Sequence, residues 1–223
     1  MRSPQVSRQT LADQVYDRVV EAVVVGDIPS GTAISETEIA VRFGVSRGPA
    51  REAIFRLEAK GLITRAAHLG ARVVDLTLSD LQALFEIREA LEGMSSRLAA
   101  ERMTETELTE LESKLGHDAN RPELAAGQFY YQAGGDQDFH ISIAAASHNP
   151  RLLRTLAGDL YDVMRVYRFR SSARPGRALE ALHEHRAIVS ALRARDPAAA
   201  EDAMRRHIRA SWANIQSTFK GVP

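Results

Sequence analysis

Asp136 and His140 stand four residues apart in the stretch GGDQDFHISIAAASHN, and two more histidines follow, His185 in HEHRAIV and His207 in MRRHIRA. On an α-helix, positions i and i+4 share a face, so Asp136 and His140 are spaced to hold one ligand between them. His185 has Leu182, Ile188, Val189 and Leu192 at helical offsets, and His207 shares a face with Ala203, Met204 and Ser211. Both therefore lie on the inward stripes of their helices. A lone inward histidine is usually a core residue with a local hydrogen bond. Four polar groups facing one interior are costly unless they share a partner. One carboxylate and three imidazoles form an N/O donor set that suits a divalent transition ion; Zn²⁺, Ni²⁺, Mn²⁺ and Co²⁺ all fit it.

A second set of groups has the chemistry of nucleic-acid contact. Ser46 opens the segment RGPAREAIFRLEAKG, in which Ala50, Ala53, Ile54 and Leu57 make an apolar stripe. Arg47 and Arg51 flank that stripe in the first turns, and Gly48 leaves room for close approach. Arginine can bond guanine O6 and N7 with both arms of its fork, or grip a phosphate. The helix N-terminus adds its own N–H donors. Arg65 and His68, in the following LITRAAHLGARVV, are placed to touch the neighbouring groove or backbone.

Arg88 is a third anomaly, because Leu81, Leu84, Phe85 and Leu91 put it on an apolar stripe. It either pairs with Glu92, one helical turn on, or forks onto the carboxylate of a bound small molecule. Tyr161, Arg165 and Asn214 are looser candidates for the same pocket.

The elements that must position these groups fall into two blocks. In the first, Thr10 caps a helix with Leu11, Val15, Val19 and Val23 at helical spacing, stopped by Gly26 and Pro29. Ser35 and Glu38 make a capping box for a second helix ended by Gly44, and Ser46 caps a third, ended by Gly61. Two β-branched runs around AHLG then predict a hairpin. This order is that of a winged helix-turn-helix, in which the second helix of the pair enters the major groove. The block holds nearly equal numbers of basic and acidic residues. Few phosphates are neutralised per head, so firm binding calls for a dimer.

From Ser79, which is expected to cap a new helix, the chain shows helical periodicity and no strand candidates. Pro150, Pro175 and Pro197 mark helix starts. The expected architecture is mainly α: a winged helix-turn-helix over residues 1–75 and an all-α bundle of about six helices over residues 76–223.

The segment from Leu11 to Val73, with SETEIAVRFGVSRGPAREA and LEAKGLI at its centre, closely resembles the head of GntR-family bacterial transcription regulators. The resemblance implies DNA contacts at Arg47 and Arg51 and a wing contact around His68 to Gly70. Thr37 stands where some members carry a further DNA-contacting arginine. The pattern D-x-x-F-H, E-H-x-x-I and M-x-x-H over roughly residues 79–215 is similar to the effector domain called FCD in the FadR subfamily. That resemblance implies metal ligands at Asp136, His140, His185 and His207, and a small organic acid as effector, bound at or near the metal. It gives His117, His148 and His183 no role.

Composition narrows the remaining classes. Of 223 residues, 44% are apolar and 26% charged, the balance of a globular protein. The absence of cysteine removes disulfide and thiolate chemistry and leans to a cytoplasmic protein. No apolar run is long enough to span a bilayer, and no signal-peptide pattern opens the chain. The expected function is a DNA-binding regulator, a repressor acting as a homodimer on a pseudo-palindromic operator of double-stranded DNA and answering to a small organic acid near a metal. A metal-dependent enzyme fused to a DNA-binding head, or a pure metal sensor, are the alternatives. No separate general base or nucleophile is placed for catalysis, so the chain reads as no enzyme.

Overall fold

The computed structural model describes residues 9–66, 70–120, 138–172, 174 and 176–219. The chain divides into two compact units, Met1–Asp75 and Leu76–Pro223.

The first unit holds three helices and a small sheet. Helix α1, Leu11–Val24, starts at a capping box: Thr10 Oγ1 accepts from Asp13 N, and the Asp13 carboxylate accepts from Thr10 N. Its buried face carries Val15, Val19, Val20 and Val23. Helix α2, Glu36–Phe43, is capped by Ser35 and ends at Gly44 with φ of 67°, a left-handed residue that glycine adopts without strain. Helix α3, Arg47–Ala59, buries Ala50, Ala53, Ile54 and Leu57, the stripe the spacing predicts. Arg56 ties α3 to α1, bonding Asp13 at 2.6 Å and lying over the Tyr16 ring.

The sheet has three strands: β1 (Ala33–Ile34), β2 (Ile63–Ala66) and β3 (Gly70–Val73), in the antiparallel order β1-β3-β2. The hairpin of β2 and β3 is the one expected from sequence; β1 was not, since two residues are too short for any periodicity to show. Leu57 is fully buried among these elements, so Leu57→Ala is expected to destabilise this unit by about 2–5 kcal/mol in a urea titration.

The second unit opens with α4, Leu78–Arg102. Its cap is Thr77, in a reciprocal box with Asp80, and not the expected Ser79, which falls inside the first turn. Asp80 at the third helical position completes the box for Thr77, which is why the start moves. Then come α5 (Glu105–Ala119), α6 (Phe139–Ala146), α7 (Pro150–Arg154), α8 (Tyr161–Ser172), α9 (Arg177–Arg193) and α10 (Pro197–Phe219). The periodicity from Pro150 onward predicts one long helix. Instead, a π-helical turn, Thr155–Asp159, separates α7 from α8, with Leu160 N bonded to Thr155 O. Gly158, a weak helix former, sits in that turn.

Helix α4 packs chiefly along α10, and α9 also lies against α10. Leu81 and Phe85 of α4, Leu182, Ile188 and Leu192 of α9, and Met204, Ile208 and Ile215 of α10 are all buried. Phe85 meets Trp212, with ring centroids 5.5 Å apart. No helix among the described residues is long and apolar enough to cross a membrane.

Candidate functional site

Three helices of the second unit bring their histidines to one place. His140 comes from the first turn of α6, His185 from the middle of α9, and His207 from α10. All three are buried, and each offers a ring nitrogen within 4.8 Å of the others. Their centroids lie 4.6 Å apart for His185 and His207, 5.1 Å for His140 and His207, and 5.4 Å for His140 and His185. Phe139 stacks on His185 at 4.0 Å, nearly parallel, and packs edge-on to His140.

Local structure fixes the start of α6. Asp138 is buried as its N-cap, and its Oδ1 accepts from His140 N and Ile141 N. That carboxylate oxygen is engaged in holding the helix that presents His140. Asp136, the carboxylate expected in the set, lies outside the described residues.

Behind the rings stand two carboxylates that the spacing of the sequence had not tied to them. Glu92 Oε2 lies 2.6 Å from His140 Nδ1, and Glu184 Oε2 lies 2.6 Å from His207 Nδ1. Glu184 also receives both arms of Arg177. Burial pushes the Glu184 carboxyl up, but the hydrogen bonds from His207 and Arg177 outweigh it and hold the group below the ordinary glutamate value. Burial, against the opposing pull of Glu184, pushes His207 down to about 4, so the ring is neutral at pH 7. A neutral imidazole is the form that binds a metal.

This donor set fits a divalent transition ion: three ring nitrogens within mutual reach, two of the rings with Nδ1 held by carboxylates. His140, His185 and His207 are the residues that would hold it. In sequence, Glu184 beside His185 and Arg177 two turns before Glu184 on one face were the available signals.

The remaining expected pocket residues have their own neighbours. Arg88 is buried, its Nε donates to Glu92 Oε1 at 2.8 Å, and its guanidinium lies over the Phe85 ring. The ion pair with Glu92, one of the two readings of Arg88, is present, and through Glu92 Arg88 joins the histidine cluster. Tyr161 is buried in an apolar cluster with Ile141, Ala144 and Leu156. Arg165 approaches Asp162 at 3.9 Å and the Tyr161 ring at 5.8 Å. Asn214 is buried, and its Oδ1 accepts from Arg174 Nε at 2.6 Å.

In the first unit, Ser46 has the extended backbone of an N-cap, but its hydroxyl makes no cap hydrogen bond. It is exposed together with Arg47, Gly48 and Arg51, which project from the first turns of α3. Arg47 is 73% exposed and its guanidinium stays 3.7 Å from Glu36. Arg51 lines an open groove with Thr10, Leu11, Gly48 and Phe55. Arg65 of β2 bonds Glu58 at 3.3 Å, and Gly70 opens β3 at φ of 72°. His68 lies outside the described residues. A helix N-terminus with two exposed arginines is able to meet phosphates and guanine edges.

Comparisons with known proteins agree with this division. Residues 11–73 match the family model described as bacterial regulatory proteins, gntR family, and residues 83–210 match the model of the FCD domain. A relative from Paenarthrobacter nicotinovorans, named "Probable D-xylose utilization operon transcriptional repressor", is 36% identical over 208 residues, covering 93% of this chain and 90% of its own. The HTH-type transcriptional repressor RspR of Escherichia coli K12 is 30% identical over 201 residues, covering 90% and 87%. Among solved structures, E. coli McbR/YncC superposes with a TM-score of 0.76 at 21% identity, over 94% of this chain and 99% of that one, which is a likeness of fold.

Proposed function

From the premise that this chain belongs to the gntR family of bacterial regulatory proteins, and is a transcriptional regulator with an FCD domain, we propose that it is a cytoplasmic repressor whose DNA binding is set by a small organic acid. Two copies pair, so that two α3 helices meet a pseudo-palindromic operator about one helical turn apart. Arg47 and Arg51 read or grip the DNA, with Ser46 and Gly48 admitting the backbone and Arg65, His68 and Gly70 forming the wing. The acid binds in the FCD domain beside a divalent transition ion held by His140, His185, His207 and Asp136. An ion there supplies open positions for a carboxylate.

The observation that carries this reading is the buried cluster of three imidazoles, since polar ring nitrogens converging in a core are costly unless they share a partner. The acid shifts DNA affinity only by its different affinities for the two conformations of the protein. One relative is named for a D-xylose operon, so sugar acids are the first to screen.

A thermal-shift screen of carboxylic acids, with and without a chelator, tests the FCD reading. Stabilisation by an acid that the chelator abolishes is the expected outcome. Stabilisation by metal alone, with DNA affinity following the metal and indifferent to every acid, marks a pure metal sensor. For the head, duplexes selected from a random pool provide the operator. Arg47→Ala and Arg51→Ala are each expected to weaken binding to it by about 1–3 kcal/mol in fluorescence anisotropy. Unchanged affinity in both variants overturns the assignment of α3.

A further inference from the structure

Each of the two carboxylates behind the histidines is gripped from two sides. On α4, Glu92 Oε1 accepts from Arg88 Nε at 2.8 Å, while Oε2 lies 2.6 Å from His140 Nδ1 across on α6. On α9, the Glu184 oxygens accept from Arg177 Nη1 and Nη2 at 2.9 and 2.8 Å, and Oε2 lies 2.6 Å from His207 Nδ1 on α10. Arg177 Nη2 also reaches Ser211 Oγ on the same helix as His207. The molecule thus contains the same Arg–Glu–His relay twice, built on different pairs of helices.

The chemistry of the relay is directional. A carboxylate paired with a guanidinium is an anion and can only accept, so the ring nitrogen that faces it carries the hydrogen. In a neutral imidazole the other nitrogen, Nε2, then keeps its lone pair. The arginine has a second effect, because it cancels the charge of the carboxylate it holds. Arg88 with Glu92, and Arg177 with Glu184, sum to zero.

We propose that Glu92 and Glu184 are positioning residues that fix His140 and His207 as Nδ1–H tautomers with Nε2 turned to the shared space, and that Arg88 and Arg177 keep this support electrically neutral. The proposal rests on the reading of the cluster as an ion site. It deepens that reading in one respect: the supporting residues orient the imidazoles without adding negative charge, so the charge of a held cation is left for anionic ligands to balance.

Two substitutions with opposite expected signs test it, on the full-length protein. Glu184→Gln removes the anion and frees the His207 ring; Zn²⁺ affinity, measured by competition with a chromophoric chelator, is expected to fall 10- to 100-fold. Arg177→Met leaves the anion uncompensated, and Zn²⁺ affinity is expected to hold or rise. Loss of packing alone lowers both. Long-range ¹H–¹⁵N spectra of the metal-free protein give a readout independent of any ion: His207 is expected to show the Nδ1–H pattern in the parent and a tautomer mixture in Glu184→Gln. If that variant fails to fold by circular dichroism, Arg177→Met/Glu184→Gln, which strands no charge, takes the same measurements.

An unchanged His207 tautomer in the carboxylate-free variant overturns the positioning role, whatever the ion does. Weakened Zn²⁺ binding in Arg177→Met overturns the neutralising role of the arginine. A parent protein that binds no Zn²⁺ but shows the expected tautomer change sinks the ion reading and leaves the positioning role standing.

Discussion

His185→Ala/His207→Ala is expected to strip the protein of bound transition metal, with the metal content of the purified variant falling to background. Structural zinc sites are worth about 10–16 kcal/mol at neutral pH, so each of four ligands carries roughly 3 kcal/mol, or a hundredfold in affinity. Removing two of three described imidazoles therefore costs about four orders of magnitude. The same variant is expected to lose the rise in melting temperature that added metal gives the parent, since an ion at a thousandfold its Kd stabilises by about 4 kcal/mol. Equal metal content in parent and variant refutes the ligand assignment. Removing two imidazoles from a tightly packed core also leaves a cavity. The comparison of melting temperatures is therefore made with chelator as well as with metal, and only the difference between them reports on the ion.

The second large effect concerns stability and needs no ligand. Glu92 and Arg88 are both almost wholly buried, and their side chains are 2.8 Å apart. Removing one member of such a pair leaves a charge in an apolar interior. Glu92→Ala is accordingly expected to destabilise the second unit by about 3–5 kcal/mol. Replacing both members with apolar groups, as in Arg88→Met/Glu92→Leu, strands no charge and is expected to restore most of that loss. Trp212, the single tryptophan of the chain, packs on Phe85, whose ring also carries the Arg88 guanidinium. Its fluorescence in a urea titration reads this unit alone. A double variant as unstable as Glu92→Ala contradicts the electrostatic account.

The parts of this molecule that were legible in its sequence are those governed by local rules. Thr10, Ser35 and Gly44 announce helix ends because capping involves residues only a few positions apart. The stripe Ala50, Ala53, Ile54 and Leu57 and the inward placement of His185 and His207 follow from helical period alone. Where two local rules competed, at Thr77 and Ser79, the residue with an acidic partner three positions on took the cap. What stayed hidden was set by packing between distant segments. Glu92 is 48 residues from His140, and Glu184 is 23 residues from His207. No periodicity relates such pairs. β1 became a strand only because β3 arrived beside it. Arg88 shows the limit from the other side: its position on an apolar stripe was readable, but the pattern gave pairing with Glu92 and a waiting anion equal standing. The 2.8 Å contact shows the pairing with Glu92, and the carboxylic-acid screen tests the anion.

The π-helical turn at Thr155–Asp159 also bears on how this chain can change in length. A bond from residue i to i+5 accommodates one residue more than an α-helical turn holds, so the turn acts as a one-residue insertion absorbed without a loop. Deleting a single residue from it would let α7 run straight into α8. Four α-helical residues at about 100° each turn the chain roughly as far as the five of the π turn, so α8 would keep its facing relative to α7. Tyr161 and Met164 would then keep the interior they now fill. The turn is thus a place where one codon can be gained or lost without re-aiming the helix that follows, so related chains of unequal length can keep the same helices with the same faces turned inward.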